Sequence, residues 1–96
     1  MKVKNLNGTS KRSCNCGTWI NHWNNYNNGQ IATVCRVIGC SRTDLVGAHV
    51  KKITKGDNKE YIVPFCNLHN KQYNPIWIEI NKGTDCVSAN KQKTCK

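Results

Sequence analysis

Hydrophobic and polar residues alternate most regularly in the stretch IWIEI, where Ile76, Ile78 and Ile80 share one face and Trp77 and Glu79 the other. A period of two predicts a strand. The residues from Asn81 to Thr84 are able to turn it back into a second strand, DCVSA, which predicts a C-terminal β-hairpin. Upstream, VGAHVKKIT and EYIVPF read as two more strands. Between them, KGDNK supplies Gly56, Asp57 and Asn58, residues suited to a tight turn, so the two strands form a hairpin. QIATVC reads as a further strand running into Cys35. The period changes in GTWINHWNNYNNG, where Trp19, Trp23 and Tyr26 fall at i, i+4 and i+7. That is one stripe of a short helix, with Thr18 as its N-cap and Asn28-Gly29 as its stop, and core packing explains the stripe better than base stacking does. NLHNKQYN predicts a second short helix, ended by Pro75. With no repeat and no interdomain linker, residues 1–96 read as a single domain whose core spans about residues 31–74.

Composition changes the picture by showing how little apolar material is present. A chain of 96 residues has a poor ratio of buried to exposed surface, and only 38% of this one is hydrophobic. An additional staple is expected, and seven cysteines offer sulfur for it, as disulfides or as thiolates on a metal. The start, MKVKNLNGTSKRS, lacks the apolar region of a secretory signal, and no apolar run approaches a membrane span. A cytoplasmic protein with reduced thiols is therefore expected. In that compartment, with an odd cysteine count, zinc is favoured over disulfides.

Charge supplies the expected partner. Fifteen Lys and Arg against five Asp and Glu give a formal net charge of +10, with basic residues near both ends as well as in the middle. A zinc site made of three thiolates and one histidine subtracts only about one unit. DNA or RNA is the commonest acidic partner of such a surface, and a solvated basic face without a partner is the plain alternative.

Spacing among the cysteines and histidines is the strongest chemical signal. Cys35 and Cys40 flank a turn at Gly39 that brings their sulfurs together. CNLH presents Cys66 and His69 across the first turn of the predicted second helix. Two ligand pairs separated by a hairpin make a tetrahedral zinc site of three cysteines and one histidine.

These residues, in the order C…C, GAHV and YIVPFCNLHNK, resemble the HNH endonuclease domain, a zinc-stapled treble-clef version of the ββα-metal nuclease fold. They also look like a group of small, uncharacterised bacterial proteins with GAHV and YIVPLC..HN stretches, to which no known activity is attached. The resemblance implies a small α+β, zinc-stabilised treble-clef domain, extended by the N-terminal helix and the C-terminal hairpin. It implies His49 as the general base that activates water for phosphodiester cleavage, with Mg or Mn stabilising the phosphate. The last motif position falls on Asn70. This chain departs from the pattern where an acidic ligand is expected, at Ala48, and at the central asparagine position, which is Tyr61 with Asn58 displaced beside it. The resemblance also lays the hairpin against the phosphate backbone, bringing Lys51, Lys52, Lys55 and Lys59 to it, with Arg36 and Arg42 near the first cysteine pair.

Cys14, Cys16, Cys86 and Cys95 remain. Cys14 and Cys16 precede the helix bearing His22, and with Cys95 these three make a second zinc site joining the chain ends; the related bacterial proteins share a TC near the C-terminus that matches Thr94-Cys95. A rival set replaces Cys95 by Cys86, whose ordinary reading is a buried free thiol, and a single-ion protein is the third possibility. The function expected is zinc-dependent nucleic-acid binding at a degenerate HNH-like site. An active HNH endonuclease and a zinc-dependent protein-interaction module are the alternatives.

Overall fold

The structure, a computed structural model, describes residues 1–6, 17–27, 30–53, 56, 59–71, 77–81 and 86–89. It is a small α+β arrangement of one antiparallel sheet and two helices. The elements are β1 (Lys2–Asn5), α1 (Trp19–Asn25), β2 (Leu45–Lys52), β3 (Tyr61–Cys66), α2 (Asn67–Asn70), β4 (Ile78–Glu79) and β5 (Val87–Ser88). The strand order is β4-β1-β2-β3-β5.

The expected central hairpin is present, with Leu45 opposite Cys66 and Val50 opposite Tyr61. Of its turn, Gly56 is described and has φ +85, a left-handed conformation that glycine adopts without a Cβ penalty. The expected C-terminal hairpin is not formed. β4 pairs with β1 and β5 pairs with β3, at opposite edges of the sheet. β1, from a stretch where the sequence reading placed no strand, takes the place beside β4: Val3 and Asn5 turn inward while Lys2 and Lys4 turn to solvent. QIATVC is not a strand either. After α1 the chain is tethered by Gln30 N–H to Asn27 O at 2.9 Å and by Ala32 N–H to Asn24 Oδ1 at 2.9 Å, which spends on local turns the donors a ladder would need.

Strand alternation gives the sheet two faces. One carries Val3, Ala48, Val50, Val63, Phe65, Ile78 and Ile80, the main cluster, joined by Cys35 and Cys66. The segment 36–38 runs across that face: Arg36 N–H donates to Pro64 O at 3.0 Å, Val37 bridges to Ile80, and Asn81 N–H donates to Arg36 O at 2.8 Å. It therefore ties β3 to the end of β4 and curls the sheet around its core. The other face carries α1, whose Trp23 packs with Ile62 and Val87. Thr18 caps α1 as expected, its hydroxyl accepting from Asn21 N–H at 3.2 Å. The expected stop at Asn28-Gly29 lies outside the described residues; Tyr26 is the C-cap. A Cβ on Gly47 would lie 2.4 Å from the Trp19 carbonyl carbon, so only glycine lets the helix settle this closely on β2. Among the described residues, no helix is long and apolar enough to cross a membrane.

Candidate metal centre

Four side chains converge at the end of the main-cluster face. Cys35 and Cys40 stand on one loop, turned by Gly39 at φ +81 and closed by Cys40 N–H to Val37 O at 3.0 Å. Cys35 N–H also reaches Arg42 O at 2.9 Å, so the loop is pinned on both sides of its tip. Cys66 is the last residue of β3 and the N-cap of α2, and His69 follows on that helix.

The ligand atoms of Cys35, Cys40, Cys66 and His69 all lie within 4.8 Å of one another. His69 Nδ1 is 3.2 Å from Cys66 Sγ and 3.5 Å from Cys35 Sγ. A tetrahedron with metal–sulfur bonds of about 2.3 Å has edges of about 3.8 Å, so these spacings fit one ion at the centre. The donor set fits as well, because three soft sulfurs and an imidazole suit zinc and not magnesium or calcium. Cys35 and Cys66 are fully buried. Burial pushes the Cys35 thiol up to about 11, whereas the backbone N–H of Arg42 holds the Cys40 thiol below its usual value. A bound dication reverses the burial penalty, because coordination deprotonates a thiol outright.

Two residues that the sequence reading did not single out hold the frame of the centre. Asp44 accepts from Arg42 Nε at 3.0 Å and from the second guanidinium nitrogen at 3.1 Å. Its Oδ2 also accepts from Asn67 N–H at 3.4 Å and Asn67 Nδ2 at 3.3 Å. It stands in for the side-chain cap that Cys66 does not provide, and links the loop of the first ligand pair to the helix of the second. Asn5, buried on β1, donates its amide to Asn70 O at 2.8 Å and His69 O at 3.4 Å, satisfying carbonyls at the far end of α2. The signal for Asp44 was present in the sequence: one of only five acidic residues stands two positions after Arg42. Asn5 carried none, since its partner is more than sixty positions away.

Among the described residues, the other expected site residues are not gathered around this centre. His49 is 4% exposed and lies on the opposite face, edge-on to Trp19 with ring centroids 4.4 Å apart. Asn70 ends α2, on the side that Asn5 faces, so the two expected catalytic residues are approached from opposite faces of the sheet. Among the described residues, the expected basic contacts are spread over both faces of the sheet. Lys51 and Lys52 are neighbours on a strand and so point to opposite faces, with Lys52 Nζ 4.5 Å from the Tyr61 ring centroid. Arg42 is engaged by Asp44, and the Arg36 guanidinium lies 5.6 Å from the centroid of Trp23. Lys59 is exposed, and Lys55 lies outside the described residues.

Of the second expected zinc set, Cys14, Cys16 and Cys95 lie outside the described residues. His22 is fully buried, and its Nε2 donates to Ser88 O at 2.8 Å. Cys86 is half-buried and packs against the main cluster, with Sγ 3.7 Å from Met1 Sδ, whereas His22 packs on the α1 face. Comparison with family models, with curated proteins and with solved structures finds no match for this chain.

Proposed function

We propose that this chain is a zinc-stabilised, basic domain that binds nucleic acid. The observation that carries the reading is the cluster of Cys35, Cys40, Cys66 and His69, whose ligand atoms lie within 4.8 Å. The formal charge of +10 supports a polyanionic partner. A ligand pair on a turn, a β-hairpin, then a second pair at the start of a helix is the order of a treble clef, and the same order supports the HNH-like reading of the fold. Zinc takes the structural role here, because all four tetrahedral positions are filled by protein and none is open to a substrate.

Hydrolysis is the lesser reading. A general base must meet water, and His49 lies beneath Trp19. Binding of the zinc-loaded protein to DNA and RNA across a salt series tests the proposal, with affinity falling steeply as salt rises. Failure to bind either at low salt overturns it in favour of a protein-interaction module. Mg- or Mn-dependent cleavage abolished by His49→Ala establishes the nuclease instead. Native mass spectrometry counts the ions: two per chain, with one lost in Cys95→Ser, supports the site of Cys14, Cys16, His22 and Cys95, and one per chain removes it.

A further inference from the structure

The sheet face away from the metal carries a pattern that zinc binding does not use. Alternation sends Lys2 and Lys4 of β1 and Lys51 of β2 to this face, and the register sets Lys4 directly opposite Lys51. Like charges facing one another across a strand pair destabilise it. Neither ammonium forms a salt bridge with a described carboxylate, although Glu79 lies on this face opposite Lys2, its Oε2 3.3 Å from the Met1 amino group, and the β2–β3 register carried one step on brings Glu60 beside Lys51. Trp77 stands at the end of the row, 44% exposed, with Lys2 Nζ 4.3 Å from its ring centroid. α1 covers β2 and β3 on this face, at Gly47 and His49, and leaves open the β1 side, where these four residues stand beside Glu79.

We propose that Lys2, Lys4, Lys51 and Trp77 form a contact strip for single-stranded nucleic acid, with phosphates against the ammonium groups and a base stacked on the exposed indole. The proposal rests on the nucleic-acid reading and names its surface and its substrate form. A polyanion turns the repulsion between Lys4 and Lys51 into attraction. Lys2 and Lys4 repeat at about 6.6 Å along β1, and Lys51 sits about 4.8 Å away on the next strand, so flexible stems track a backbone running over the sheet. The ring selects the single strand, because a duplex hides the faces of its bases and an unpaired strand offers them. Sequence preference is weak, since every base has a π-face.

Fluorescence anisotropy of the zinc-loaded protein with a short labelled strand of mixed sequence, as DNA and as RNA, and with the matching duplex, tests this. The wild type should prefer the single strand. Trp77→Ala and Trp77→Leu should each weaken it roughly tenfold or more while Trp77→Phe restores most of the loss, and the salt slope should stay as it was. Replacing Lys4 and Lys51 by Ala should lower that slope by roughly 0.7 per lysine. Metal content and amide spectra confirm that each variant is folded. Folded variants that bind the single strand as the wild type does overturn the strip, and if Lys52→Ala or Lys59→Ala weakens binding in their place, the general function stands. A preference for duplex that ignores Trp77 also overturns it. A wild type that binds neither form overturns the function itself.

Discussion

At the residue scale, two positions outside the Cys/His cluster have separate tasks, Gly47 under α1 and Asp44 beside the cluster. Gly47 has no room for a Cβ, and its backbone is not in the left-handed region, so the cost of a substitution is steric. Gly47→Ala should push α1 off β2 and cost about 1–3 kcal/mol, read as a lower urea midpoint. Asp44 acts by charge. The Arg42 guanidinium holds its carboxyl well down, at about 2. A carboxylate whose pKa is depressed by folding stabilises fully above its unfolded value of about 3.9, and that stabilisation is lost as pH falls through the folded value. The difference in urea midpoint between wild type and Asp44→Asn should therefore be constant from neutral pH down to about 4 and shrink only below it. Asp44→Ala should be worse than Asp44→Asn, because the amide oxygen still accepts from Asn67 N–H.

At the element scale, β1 matters more than its composition foretells. It stands inside the sheet between β4 and β2, contributes the fully buried Val3, and carries the amide that satisfies the end of α2. Asn5→Ala leaves the carbonyls of His69 and Asn70 without that donor in a partly buried setting, and should cost about 1 kcal/mol. Because His69 rides on α2, metal retention should fall with it, seen as faster zinc transfer to a competing chelator. The pairing of β4 and β5 with different strands has the same origin. The inward residues of β1 and β4, Val3 and Ile78, are register partners in one cluster, and a hairpin of β4 with β5 would leave Val3 without that neighbour.

At the scale of the whole molecule, the candidate metal centre and the main cluster are one body. Cys35 and Cys66 belong to the core, in which Phe65 is the fully buried aromatic on this face among the described residues and Tyr61 packs at its margin. Structural zinc contributes on the order of 10 kcal/mol or more to small domains. Chelation should unfold the protein, collapsing the dispersed amide spectrum, and Cys66→Ser should be at least as damaging as any core truncation. A metal-free sample that keeps its dispersion would refute this.

The convergence of the two Cys/His pairs, the cap of α1 and the β2–β3 hairpin were legible in the sequence because each is written within a few neighbouring residues. Cys35 and Cys40 span one turn, Cys66 and His69 one helical step, and alternation marks the strands. The opposite faces of Lys51 and Lys52 were legible by the same alternation, although the sequence reading grouped them. Only the tertiary structure decided that KVKN is an interior strand, that β4 and β5 part to opposite edges, and that His49 lies under Trp19. Those choices turn on burial shared between segments distant in the chain. A four-residue strand with one apolar side chain carries almost no local signal, and its place is set by the neighbours that its burial completes.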